Sequence, residues 1–178
     1  MPENAVILFE DETDLLLFPP LGAAWSKRGE SQKVLLSGYN ARRVVYGIVS
    51  AKTGHLILMV QKRHRAVDFQ EFLDVVRWHY RRATVVILLD EDKSHTAEDS
   101  QECACENEIE LWWLPLRSPE LNPLERLWQI GKQHVCTNYQ HPSIEGQTAQ
   151  FSEYLLRLSN LDTLITSGIT SKNFWLLR

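Results

Sequence analysis

Six consecutive residues constrain this chain more than any other stretch. Thr84-Val-Val-Ile-Leu-Leu89 is β-branched or aliphatic throughout, and from Val85 on it has no polar position at which one face could meet water. Apolar-polar alternation would mark a strand exposed on one side, whereas an unbroken run of this kind marks a strand covered on both faces inside a sheet. The chain must therefore supply apolar layers above and below that sheet, with parallel strands joined through helical crossovers. The run ends at Asp90. A carboxylate thus leaves the sheet at the carboxyl end of an interior strand, where open α/β sheets build their sites.

Other segments supply the rest of such a fold. Ala5-Val-Ile-Leu-Phe9 is a second apolar run closing on Glu10-Asp11-Glu12, so a second strand is expected to deliver carboxylates at its C-terminal end. Residues 15–18 lead into Pro19-Pro20-Leu21-Gly22, which reads as a loop. Residues 44–50 and 55–61 are β-rich, and Ala51-Lys-Thr-Gly54 between them suits a hairpin turn. Phe69, Phe72, Leu73, Val76 and Tyr80 form the stripe of an amphipathic helix over 67–80, with Arg77, Arg81 and Arg82 near its negative end. A helix over 96–107 with Thr96 as its cap, and a strand over 109–114, come next. Ser118-Pro119-Glu-Leu-Asn122-Pro123 opens a helix with Leu124, Leu127, Trp128 and Val135 on one side. Gly131 inside it costs about 1 kcal/mol relative to Ala. Phe151, Tyr154, Leu155 and Leu158 mark a further helix, and residues 161–178 give no clear pattern. The order β(ββ)αβαβα predicts an α/β fold, a mixed five-stranded sheet flanked by helices on both faces.

The 178 residues, 44% hydrophobic and 24% charged, suit a single domain over 1–178, with a core at 5–135 and a C-terminal helical extension at 136–178. The longest apolar runs fall far short of the roughly 18 residues that a membrane span needs. Met1-Pro2-Glu3-Asn4 has no basic region leading into an apolar one, so a cytoplasmic location is expected, nucleoid-associated when DNA is bound. Cys103, Cys105 and Cys136 are too few and too unevenly spaced for a disulfide framework and read as reduced thiols. The net charge of −4 argues against indiscriminate nucleic-acid binding, but the charge is unevenly placed. Residues 42–82 carry nine basic against three acidic side chains, and residues 90–110 carry nine acidic against one basic. That asymmetry allows a basic face for a polyanion beside an acidic cluster for divalent cations, or two solvated surfaces of opposite sign.

Two-metal phosphoryl transfer requires several oxygen ligands converging on cations about 3.5–4 Å apart. Asp11 and Asp90 can meet if their strands are neighbours, and Glu125, just after Asn122-Pro123, can reach them from a helix across the sheet end. Each acid alone also reads as an ordinary solvated or dipole-complementing residue. Taken together, three segments decide the matter differently. Phe9-Glu10-Asp11-Glu12 comes first, then Leu88-Leu89-Asp90 with His95 five positions on. The third is Leu114-Pro115-Leu-Arg-Ser118-Pro119-Glu120-Leu121-Asn122-Pro123-Leu124-Glu125-Arg126-Leu127-Trp128. They resemble the catalytic domain of mariner-related insertion-sequence transposases, the DDE group with an RNase H-like fold. The 34 residues between Asp90 and Glu125 match that group's interval, and Pro20-Leu-Gly-Ala-Ala-Trp25-Ser-Lys-Arg-Gly29 resembles the segment after its first aspartate. The resemblance covers residues 5–135.

The resemblance implies that Asp11, Asp90 and Glu125 are catalytic residues and ligands of two Mg²⁺ or Mn²⁺ ions. It implies DNA strand cleavage and strand transfer, hence transposition and integration, by a dimeric or larger complex with transposon ends and target DNA. His95 matches the family histidine, there to orient the site or touch a phosphate; an exposed loop position is the alternative. Trp128 reads as core packing or as a surface for a splayed base. Arg63, Arg65, Arg77, Arg81 and Arg82 are candidates for DNA backbone contact or for a solvated helix face, with Lys27, Arg28 and Arg117 as further DNA-contact candidates. In three places the sequence departs from the family, the first at Arg117, which stands where an aromatic is common. Glu91-Asp92 stand where Asn-Ala is usual, which makes Asp92, expected on Asp90's strand face, a competing ligand. The family's N-terminal helix-turn-helix region is expected to be absent, so end recognition by this polypeptide alone is not expected. The rival readings are a catalytically silent remnant serving as a DNA- or protein-binding module, and a general nuclease of the same superfold.

Overall fold

One mixed sheet with strand order β3-β2-β1-β4-β5 organises the chain, in a computed structural model that describes residues 4–30 and 33–177. β1 (Ala5–Leu16) pairs antiparallel with β2 (Arg42–Ser50), and β2 pairs antiparallel with β3 (Leu56–Gln61) through the expected hairpin. On its other side β1 runs parallel to β4 (Thr84–Leu89), and β4 runs parallel to β5 (Ile109–Trp113). α1 (Ala66–His79) links β3 to β4, and α3 (Glu98–Glu106) precedes β5. This is the fold class expected from the uninterrupted apolar run, whose residues Val85 to Leu89 are buried.

The period of two along β1 divides its side chains between two layers. Leu8 packs with Tyr46, Ile48, Ile87 and the α1 residues Phe69, Phe72, Leu73 and Val76 on one face. Phe9 packs on the other with Val45, Val49 and Leu88 against α4 (Leu124–Val135) and α5 (Ile144–Leu156). Residues beyond 136 share this second layer, since Ile144, Phe151, Leu155 and Ile169 join the same buried cluster as Phe9 and Trp128. Each fully buried Leu, Ile or Phe contributes about 1.5–3 kcal/mol over an exposed one. The segment after 160, ambiguous by periodicity, forms α6 (Asn160–Ser167), capped by the Ser159 hydroxyl and closed by Gly168 at φ 79°, a left-handed position suited to glycine. Gly131 lies where a Cβ would come within 2.6 Å of the Phe151 ring, so the helix sacrifices propensity to let α5 approach.

Two expectations are corrected. Glu10, Asp11 and Glu12 do not end β1, because the strand continues to Leu16 along its ladder with β2, ending at Leu16↔Arg42. Pairing with β4 ends at Phe9↔Leu88, so beyond that point β1 has a neighbour on one side only. The acids occupy this overhang, a strand segment held by β2 despite poor β propensity. Thr96 caps nothing. It closes a short helix, α2 (Lys93–Thr96), whose N-cap is Asp92, and α3 starts after Ala97 without a side-chain cap. Cys103, Cys105 and Cys136 are free thiols, as expected. No helix among the described residues is long and apolar enough to cross a membrane.

Candidate active site

The overhang of β1 places Asp11 beside the end of β4, where Asp90 emerges. The third acid is carried in by Asn122. This buried side chain donates from Nδ2 to the Glu10 carbonyl oxygen at 2.7 Å, and its Oδ1 accepts from the Leu124 amide at 3.2 Å. A single residue thereby ties the start of α4 to the middle of β1. The 3₁₀ turn Pro119–Leu121 before it is held from the other side, where Trp175 Nε1 donates to the Leu121 carbonyl at 3.0 Å. Glu125, in the first turn of α4 and exposed, then shares one cleft with Asp11 and Asp90. Leu114, Pro115, Ser118 and Pro119 wall this cleft, and Arg117, at φ 57°, brings in a cation.

Each aspartate is oriented by a neighbour. Trp128 Nε1 donates to Asp11 Oδ2 at 2.9 Å. Its ring sits against Gly47, the register partner of Asp11, where a Cβ would lie 2.3 Å from the indole. Core packing and an active-site contact are therefore both properties of Trp128. Asp90 Oδ1 accepts from the Asp92 amide at 3.1 Å and from His95 Nδ1 at 3.1 Å. Nδ1 also lies 3.1 Å from the Asp90 carbonyl oxygen, and since both partners are acceptors, this nitrogen carries the hydrogen. Burial, then the charges of Glu12, Glu125 and Asp90, push the Asp11 carboxyl well above its usual range, with the Trp128 bond opposing them. Such crowding of carboxylates is what a bound cation relieves, and an all-oxygen donor set suits hard divalent ions.

On the opposite face of β1 lies a second polar cluster that the sequence reading missed. His95 is 1% exposed, which excludes an exposed loop position. Its ring stands 4.5 Å from that of Phe69, and its Nε2 lies 3.5 Å from both Glu10 Oε2 and Glu12 Oε2. His64, on the connection from β3 to α1, places Nε2 2.6 Å from Glu12 Oε1 and 2.8 Å from Ser94 Oγ. Burial drives the Glu10 carboxyl well up. Burial would also raise Glu12, but the hydrogen bond from His64 and the nearby His95 outweigh it and hold that carboxyl at about 2. For His95, burial favours the neutral ring, yet Glu10, Asp90 and Glu12 together push it up to about 12. Alternation along β1 is the signal that could have found this cluster, since it sends Glu10 and Glu12 away from Asp11. His64 itself offered no signal.

Several expected placements change. Asp92 is not on a strand face with Asp90: it caps α2, accepts from the Ser94 amide and hydroxyl at 2.7 Å each, and lies 3.4 Å from His64. The basic residues do not form one cluster. Arg63 and Arg65 lie at the site end of α1, where Arg65 is bound to Asp68. Arg77 donates to the carbonyls of Asn107, Ala83 and Tyr80, and Arg81 lies 5.7 Å over the Trp78 ring. With Arg82 they stand at the far end of a 14-residue helix, about 20 Å from its start. Lys27 and Arg28 lie in an exposed loop and do not line the cleft.

Comparison with known proteins adds to this geometry. The DDE superfamily endonuclease family matches residues 6–146. The "Insertion element IS630 uncharacterized 39 kDa protein" of Shigella sonnei is 29% identical over 140 residues, covering 78% of this chain and 41% of that protein. The "Transposable element Tcb2 transposase" of Caenorhabditis briggsae is 26% identical over 141 residues, covering 72% of this chain and 51% of that one. Thus the chain spans about half the length of these two relatives. Among solved structures, a mariner Mos1 paired-end complex with Mg superposes with a TM-score of 0.71 at 16% identity, over 91% of this chain and 51% of that one. The fold is the RNase H-like one.

Proposed function

The chain belongs to the DDE superfamily endonuclease family, and from that premise we propose that it is the catalytic part of a DNA transposase, cleaving phosphodiester bonds and transferring the cut strand end. The observation that carries this reading is the convergence of Asp11, Asp90 and Glu125, from two strands and a helix, on one cleft. These three carboxylates would hold a pair of Mg²⁺ or Mn²⁺ ions. Such ions supply Lewis-acid stabilisation of the attacking and leaving oxygens of an in-line displacement. The chain's own side chains do the positioning: Trp128 aims Asp11, His95 aims Asp90, and Asn122 anchors the helix start that presents Glu125. Arg117 faces the same cleft and suits a phosphate of the substrate strand. The Mos1 complexes with transposon-end DNA, and with Mg or Mn, support the same substrate and cations for this chain, together with a paired assembly.

Plasmid nicking in Mn²⁺ by the wild type and by Asp90→Ala tests the proposal. Nicking by the wild type and its loss in the variant are expected. Equal activity in both would reject the role of Asp90, and no nicking by a folded wild type would favour a silent binding module.

A further inference from the structure

We infer that Glu12, His64 and His95, backed by Glu10, form a second metal site, suited to one dication of the zinc class and set on the face of β1 opposite Asp11. One ligand atom from each of Glu12, His64 and His95 lies within 4.8 Å of the others. Spacing is the first argument. The 3.5 Å separations from His95 Nε2 to Glu10 Oε2 and Glu12 Oε2 are longer than the 2.7–3.2 Å of a normal N–H···O bond. They equal the edge, about 3.4 Å, of a tetrahedron around an ion with bonds of about 2.0–2.2 Å.

Satisfaction is the second argument. Both oxygens of Glu10, Glu12 Oε2 and His95 Nε2 are buried without a hydrogen-bond partner among the described residues, and Glu10 and His95 are each 1% exposed. Native interiors rarely leave a carboxylate so placed, because its lost hydration must be replaced by some other charge or donor. A cation held by Glu12, His64 and His95 would satisfy Glu12 Oε2 and His95 Nε2 and offset the buried charge of Glu10 beside them.

Ligand orientation is the third. His95 uses Nδ1–H on the Asp90 carbonyl and carboxylate, so its Nε2 points at Glu10 and Glu12 and would offer its lone pair to a cation that displaces the Nε2 proton. A metal-bound histidine is commonly held in this way, its remote nitrogen donating to a carboxylate or carbonyl. Two imidazoles with carboxylates favour Zn²⁺ over Mg²⁺, which prefers an all-oxygen shell. His64 is 24% exposed and opens a route inward, and Glu12 would have to withdraw from its 2.6 Å contact with His64 to admit the ion. The site stands apart from the cleft's three acids and does not depend on the transposase reading, though His95 joins the two.

The test is Zn²⁺ titration by calorimetry on the chelator-treated full chain, with Co²⁺ absorption as a ligand-field readout. The variants are Asp11→Asn/Glu125→Gln, His64→Ala and Glu12→Gln, each checked for folding by circular dichroism. The wild type and the Asp11→Asn/Glu125→Gln variant should bind one equivalent of Zn²⁺ and give the intense visible bands of four-coordinate Co²⁺. His64→Ala and Glu12→Gln should each weaken binding at least tenfold. Should Glu12→Gln fail to fold, His64→Ala decides, because that ring is partly exposed. Absence of Zn²⁺ binding in the wild type, its loss on removing Asp11 and Glu125, or its indifference to His64→Ala would each overturn the assignment. Nicking is not the readout, so either proposal can fail while the other stands.

Discussion

Trp128 donates a hydrogen bond to Asp11 across 117 residues of sequence, and the 2.9 Å contact joins the packing of α4 to the aim of a cleft carboxylate. Trp128→Phe keeps an aromatic ring over Gly47 and removes the donor. A hydrogen bond to a charged acceptor is worth about 1.5–3 kcal/mol, so Mn²⁺-dependent nicking should fall about 10- to 100-fold. Denaturant stability should also fall, by about 1–3 kcal/mol, because a buried indole is trimmed and its bond lost. An unaltered nicking rate would show that Asp11 holds its orientation without the indole. Gly47→Ala, with a Cβ 2.3 Å from the ring, should displace Trp128 and lower both stability and rate.

Asn122 offers a different probe, because its amide serves a backbone carbonyl and a helix start together. Asn122→Ala strands the Glu10 carbonyl and the Leu124 amide in a buried place. A loss of about 1–3 kcal/mol in urea denaturation is expected, with a drop in nicking as Glu125 drifts from the other two acids. A variant as stable as the wild type would mean that the turn is held by Trp175 alone.

Propensity and packing make opposite demands at Gly131. Alanine there would gain about 1 kcal/mol in helix propensity, but its methyl would meet the Phe151 ring at 2.6 Å. Overpacking of about 1–3 kcal/mol should win, leaving Gly131→Ala less stable by thermal melting. A raised melting temperature would show that α5 can retreat at little cost.

The Arg65–Asp68 pair predicts a pH dependence. Arg65 donates from Nε at 2.8 Å and from Nη2 at 2.9 Å to the buried Asp68, and these bonds hold its carboxyl below the usual range. A depressed carboxyl stabilises the fold above its unfolded pKa of about 3.9, and that stability is lost as pH falls through the lower folded value. Wild type should therefore exceed Asp68→Asn in stability equally at pH 7 and 5, and the gap should close below about pH 4. Urea titrations over that range would show a constant gap if the pair contributed nothing electrostatic.

The sheet, the helix stripe of α1 and the three cleft acids were legible because each rests on local periodicity or on a compact motif. The extent of β1 was not, since acids disfavour strands and only the ladder with β2 keeps residues 10–16 extended. Asn122 lay inside the recognised motif, yet its bond to Glu10 spans 112 residues and is a tertiary fact. His64 carried no pattern at all, and its meeting with Glu12 depends on where β3 hands over to α1. The separation of Arg63 and Arg65 from Arg77, Arg81 and Arg82 was also not legible, since residues of one charged stretch along α1 come to lie about four helical turns apart.

Adjacent acids on β1 look into different compartments, Asp11 into the cleft and Glu10 and Glu12 into the histidine pocket. Loss or gain of a single codon between Ala5 and Glu10 would set the apolar half of the strand, paired to β4, against the acidic half, paired to β2, so that one of them must turn its side chains to the wrong face.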